Sequence, residues 1–77
     1  MAIGFVLINA APGYEHEVYE KLSKVSDIIE IHALFGEYDI IAKIEVENFE
    51  KLGQIILNKI RSVEGVIGTK TLTGTKF

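Results

Sequence analysis

The sequence predicts an α+β fold of the ferredoxin-like type, βαββαβ, a four-stranded antiparallel sheet with two helices on one face. Three observations carry this. The hydropathy pattern runs strand–helix–strand twice within 77 residues, leaving no spare segment for a DNA-reading helix pair, a catalytic insertion or a membrane anchor. The halves meet at Gly36-Glu37-Tyr38-Asp39, a short polar turn between two apolar runs. Right-handed crossovers make one sheet the natural closure of two such units.

Each element has its own warrant. Ile3 to Ala10 is apolar on both faces, with Ile3, Phe5 and Leu7 on one and Val6, Ile8 and Ala10 on the other. Such a strand is central or packed on two sides. Pro12-Gly13 stops it. Tyr14 to about Val25 reads as a helix, because Tyr14, Val18, Leu22 and Val25 form one stripe of a 3.6-residue period. Its glutamates come early and its lysines late, as the helix dipole favours, and Glu17/Lys21 and Glu20/Lys24 are spaced as i,i+4 pairs.

Ser26-Asp27 breaks the helix, and Ile28 to Phe35 follows as a β-branched, aromatic-rich strand. A third strand runs from about Tyr38 to Val46, with Tyr38, Ile40, Ala42, Ile44 and Val46 on one side. The short link between these strands predicts an antiparallel hairpin. Asn48 is a good N-cap for a second helix whose apolar stripe is Phe49, Leu52, Ile55, Ile56, Ile60 and Val63. Glu64-Gly65 ends it, Gly65 suiting a left-handed C-terminal position. Val66 to about Thr73 is the last strand, with Ile67, Thr69, Thr71 and Thr73 sharing a face.

Size and composition exclude several function classes. A chain this short is one domain and buries only about 60–65% of its unfolded surface, so it gains from a partner. The uncovered face of the sheet is partly apolar, which predicts self-association. With no cysteine there is no disulfide, thiolate metal site or cysteine nucleophile. That fits a reducing compartment. The net charge is −3, with eight Lys and Arg scattered among eleven acids, so direct DNA binding is disfavoured. The N-terminus lacks a secretory signal, and its apolar run is too short to span a bilayer. A soluble cytoplasmic protein, with no membrane partner and no cofactor, is the expectation.

Two segments go beyond fold. Gly36-x-x-Asp39, preceded by Ile31-His32-Ala33-Leu34-Phe35 and followed by an alternating strand, resembles the central motif of the Lrp/AsnC effector domain, also called the regulation-of-amino-acid-metabolism (RAM) domain. The ending Val63-Glu64-Gly65-Val66-Ile67-Gly68-Thr69-Lys70-Thr71-Leu72-Thr73 is similar to that family's closing pattern. The resemblance covers nearly the whole chain, so residues 1–77 read as a single RAM-type ligand-binding and oligomerisation domain. The helix-turn-helix of the usual regulator has no counterpart here, and the expectation is a stand-alone effector domain. The resemblance implies dimers assembling into a larger ring, such as an octamer or decamer, with a small amino acid bound between subunits. It also implies full-length regulators of the family as partners.

The candidate site residues each have two readings. Gly36-Glu37-Tyr38-Asp39 is an ordinary hairpin turn, in which Gly supplies unusual backbone angles and Asp accepts local N–H groups. With the resemblance, the N–H groups near Gly36 hold an amino acid's carboxylate and Asp39 attracts its ammonium. On that reading Asp39 matters for binding more than for folding. Thr69, Thr71 and Thr73 are good strand residues for an exposed face. Alternatively, their hydroxyls line the ligand pocket beside the turn. His16 lies on the wet side of the first helix, and neither it nor His32 has a second ligand at metal spacing.

The resulting expectation is a non-enzymatic module that binds a small amino acid and passes occupancy on through assembly state to amino-acid-responsive transcription. The rivals are a ligand-free oligomerisation or interaction module and a small dimeric ferredoxin-like enzyme. No catalytic constellation supports the enzyme.

Overall fold

The computed structural model describes residues 1–74. The chain folds as β1 (Ala2–Ala10), α1 (Glu15–Leu22), β2 (Ile28–Ala33), β3 (Ile40–Val46), α2 (Phe49–Ile55), a π-helical turn (Ile56–Ile60) and β4 (Val66–Thr73). The four strands form one antiparallel sheet in the order β2-β3-β1-β4. This is the ferredoxin-like arrangement, and it places the doubly apolar β1 in the interior of the sheet.

The core fills the space between one sheet face and both helices. Val6, Ile8 and Ala10 of β1 and Ile40, Ala42 and Ile44 of β3 pack against Val18 and Leu22 of α1 and Leu52, Ile55, Ile56 and Ile60 beyond. Burying each valine, leucine or isoleucine among them contributes about 1.5–3 kcal/mol. No element covers the opposite face. There Phe5 pairs with Lys43 on one side and Leu72 on the other, and Leu7 pairs with Ile41 and Lys70. The Lys43 ammonium sits 5.8 Å from the centre of the Phe5 ring and 3.6 Å from Glu30. Leu72 is exposed and Phe5, Leu7 and Ile41 are half-buried, so the face is apolar in its middle and charged on both sides, by Lys43 and Glu30 toward β2 and by Lys70 on β4.

Element ends depart from the sequence pattern for local reasons. α1 stops at Leu22 rather than near Val25: the Ser23 hydroxyl donates back to the Tyr19 and Glu20 carbonyls, and the Lys24 and Val25 N–H groups bond only three residues back, to Lys21 and Leu22. Lys24 therefore lies beyond the helix, and Glu20 stands 3.6 Å from His16 instead. β2 ends at Ala33 and β3 begins at Ile40, so Leu34 to Asp39 form a longer link than the four-residue turn. Bulges take Ile29 in β2 and Ile67 in β4 out of register.

The second helix winds wider after Ile55, with the Arg61 N–H reaching the Ile56 carbonyl at 2.8 Å. Val63 therefore meets the core from a turn, not from the helical stripe. The Asn48 cap is as expected, its side-chain oxygen accepting from the Lys51 N–H at 2.8 Å. Asn48→Ala is expected to cost about 0.5–2 kcal/mol, read as a lower urea midpoint with an unchanged slope.

Gly65 takes φ +100, the left-handed conformation its position requires, and a Cβ there would lie 2.9 Å from Tyr14 Cβ and Val18 Cγ2. Gly53 is the opposite case. It sits inside α2 with no positive φ, and an added Cβ would meet nothing within 4 Å. Glycine there costs about 0.5–1 kcal/mol relative to alanine, and nothing in the chain's own packing requires it.

Candidate functional site

The hairpin turn is held at three points. Leu34 N–H donates to the Asp39 carbonyl at 2.8 Å, closing the link, and Asp39 N–H donates to the Ile8 carbonyl at 2.9 Å. The Asp39 carboxylate then accepts the Ala10 N–H at 2.8 Å through Oδ2. The side chain thus ties the hairpin to the last residue of the central strand. This corrects the view of Asp39 as a turn carboxylate of little structural weight, since its partner lies 29 residues away. At the tip, Gly36 takes φ +119, where a side chain would be strained, and Phe35, Gly36 and Glu37 are exposed.

Beside the turn, α1 and the hairpin end enclose an open groove of about 620 Å³. Glu15, His16, Tyr19 and Glu20 line it from α1, and Leu34, Phe35 and Asp39 from the hairpin. Of the four turn residues, Asp39 alone faces this groove; Gly36, Glu37 and Tyr38 lie outside its lining. The groove pairs an apolar floor with carboxylates and a single histidine, a setting that attracts an ammonium on an apolar body. Of the lining, sequence reasoning named Asp39 alone and missed the rest, Glu15, Tyr19, Glu20, Leu34 and Phe35 among them. Phe35 was counted as the end of a strand, although a large apolar residue directly before a turn glycine was the available signal.

The threonine row is elsewhere. Thr69, Thr71 and Thr73 pair with Ile8, Val6 and Gly4, so they lie on the helix side of the sheet along the β4 edge, not on its bare face. The strand β1 separates them from the hairpin. Thr73 is four residues along the strand from the level of Ile8, about 13 Å at strand spacing. Thr71 and Thr73 instead wall a second groove, of about 310 Å³, with Phe49, Leu52, Gly53 and Ile56. One chain therefore does not bring the turn and the threonine row together. A third, polar cleft of about 410 Å³ lies between α2 and the end of β3, where Lys59 pairs with Asp27 at 2.8 Å.

Among the described residues, no three His, Asp or Glu side chains gather where they could hold a metal ion. His32 is exposed, 3.6 Å from Glu30. Among the described residues, no helix is long and apolar enough to cross a membrane.

Fold and turn together are those of a regulatory ligand-binding domain. The family model described as the Lrp/AsnC ligand binding domain matches residues 3–75, and the chain belongs to that family. Among curated proteins it is 39% identical to the HTH-type transcriptional regulator FL11 of Pyrococcus furiosus over 70 residues, covering 91% of this chain and 46% of that protein. An uncharacterised HTH-type transcriptional regulator of the same organism is 37% identical over 71 residues, covering 88% of this chain and 47% of its own. The chain thus spans about half the length of the curated relatives it matches. Among solved structures, a hypothetical protein of Pyrococcus horikoshii superposes with a TM-score of 0.89 at 35% identity, covering 100% of this chain and 93% of that one. Escherichia coli AsnC shares the fold, with a TM-score of 0.91 at 21% identity over 99% of this chain and 52% of its own.

Proposed function

We propose that this chain is a non-enzymatic effector-binding and oligomerisation domain of amino-acid-responsive transcription regulation. It takes a small amino acid at the Gly36–Asp39 turn and passes occupancy on through its assembly with copies of itself and with regulators of its family. The observation that carries the reading is the turn itself. It presents a left-handed glycine and an anchored carboxylate beside an acid-lined apolar groove. The ligand's ammonium meets the Asp39 carboxylate, and its carboxylate meets N–H groups at the turn. Because Thr71 and Thr73 stand away from the turn within one chain, their hydroxyls join the site from a neighbouring copy. A regulator of the same fold from Neisseria meningitidis was solved as a complex with L-Met, which supports an amino acid as the ligand class.

The bare sheet face supplies the dimer contact, with Phe5, Leu7, Ile41 and Leu72 at its centre. Specific interfaces bury about 1,200–2,000 Å² in total, a scale that one face of a four-stranded sheet can approach. The Asp39–Ala10 bond favours a second reading, in which the turn is purely structural and the domain oligomerises without a ligand.

A thermal scan across the twenty amino acids separates the two. A ligand bound only by the native state stabilises it by about 2.7 kcal/mol at one hundred times its Kd. At 4–8 °C per kcal/mol for a domain of about this size, the melting temperature rises by about 10 °C or more. If none of the twenty moves it, the ligand-free reading stands.

A further inference from the structure

The groove between α1 and the hairpin holds one polar side chain that the binding of an amino acid at Asp39 does not use. His16 lines it from the first turn of α1, with its ring exposed and its Nε2 3.6 Å from Glu20 Oε1. Imidazole is the side chain whose charge changes between about pH 5 and pH 8. A free amino acid keeps its ammonium through that range. The groove therefore contains a group that can become charged while the charge of its guest stays fixed.

Every other charge lining the groove is negative. Glu15 and Glu20 line it from α1 and Asp39 from the hairpin, with no Lys or Arg beside them. Glu17 and Lys21 of α1 and Glu37 of the turn lie outside the lining. Two of the three carboxylates are held by backbone groups: the Gly13 N–H donates to Glu15 at 3.0 Å and the Ala10 N–H to Asp39 at 2.8 Å. Glu20 has His16 as its neighbour instead. A neutral His16 leaves all three to draw an ammonium. A protonated His16 acts twice in the same direction. It sets a second positive charge beside the guest's own, and it pairs with Glu20, turning that carboxylate away from the guest.

We propose that His16 makes the amino-acid site sensitive to pH: the groove takes its ligand with the imidazole neutral, and binding expels a proton from it. The inference rests on the site proposed above and adds its regulation. The sign follows from linkage. The neutral form binds the ammonium more tightly, so affinity rises as pH rises through the imidazole range. By reciprocity, an occupied groove holds the proton less tightly. For two like charges sharing a salt-screened surface groove, the expected change in Kd is about three- to tenfold.

A thermal scan of the twenty free amino acids at about pH 6 and about pH 7.5 selects the probe, and calorimetric titration with the amino acid of largest shift tests the proposal. The samples are wild type, His16→Gln, His16→Lys and His32→Gln. Position 16 is exposed, Gln and Lys are good helix formers, and circular dichroism confirms each fold. Wild type is expected to bind about three- to tenfold more tightly at the higher pH, with a binding heat that varies with the buffer's ionisation enthalpy in the sense of proton release. His16→Gln is expected to lose both the pH dependence and the proton release. His16→Lys, charged at both pH values, is expected to lose the pH dependence and to bind more weakly than wild type at the higher pH. His32→Gln, altered on the bare sheet face, keeps the wild-type dependence. Equal affinities at the two pH values, a dependence that survives in His16→Gln, or one lost in His32→Gln overturns the proposal and leaves the amino-acid site standing. An affinity that falls as pH rises also overturns it, and makes His16 the partner of the ligand's carboxylate. If none of the twenty binds at either pH, the site and its regulation fall together.

Discussion

Replacing Gly65 by valine is expected to remove a large share of the chain's stability, about 2–5 kcal/mol. Two costs fall on one residue. A β-branched side chain is forced to φ +100, and its Cβ enters space held by Tyr14 Cβ and Val18 Cγ2 at 2.9 Å. The left-handed conformation costs a non-glycine residue about 1–2 kcal/mol, and overpacking a close-fitting site about 1–3 more. The total stability of a domain of this length is only about 4–12 kcal/mol. Gly36→Val is the internal comparison. Gly36 also has a positive φ, but an added Cβ meets nothing within 4 Å. Urea midpoints of the two variants separate conformation from packing. Equal losses would show that the crowding against α1 relaxes at no cost.

The second large effect is at Asp39, where two substitutions give opposite patterns. Asp39→Ala leaves the Ala10 N–H without its acceptor, which costs about 1–3 kcal/mol of stability. Asp39→Asn keeps an oxygen for that N–H and removes only the charge. Its melting temperature is expected to stay near wild type. Its calorimetric affinity for the amino acid, measured per assembled site, is expected to fall by about 1.5–3 kcal/mol, more than tenfold. If Asp39→Asn binds as tightly as wild type, the ammonium partner is another of the groove's carboxylates, Glu15 or Glu20 first.

The order of elements was legible because this chain keeps its periodicities clean. β1 and β3 are both interior strands covered by helices on one face only; the alternation of β3 follows from that, the second apolar face of β1 forms the middle of the bare face, and both survive translation into sequence. The Asn48 cap and the left-handed turn at Gly65 were readable for the same reason, since each is a local backbone feature, although the crowding of Gly65 by Tyr14 and Val18 is not. What escaped depends on residues far apart. The bulges at Ile29 and Ile67 are set by partner strands, and Ile67 consequently parts company with the threonines it alternates with. The bond from Ala10 to Asp39 spans two elements and leaves no local mark. Phe35 reads as a strand residue because aromatics favour strands, and its exposure at the tip is set by where the β2–β3 pairing ends. The candidate site divides along this line: its turn is a local motif, while its groove is made by packing α1 against the hairpin.

The tie between Asp39 and Ala10 also makes occupancy observable from inside the sheet. The Ala10 amide belongs to the central strand, yet its proton is held by the carboxylate that faces the groove. On the proposed function, an ammonium drawn to that carboxylate polarises the acceptor of the Ala10 N–H, and the solvent exchange of that one backbone hydrogen is expected to register it. The hairpin is thereby not a loose flap that could close over a guest without disturbing the sheet. It is fastened by two hydrogen bonds to an interior strand, so the hairpin end cannot move without breaking bonds inside the sheet.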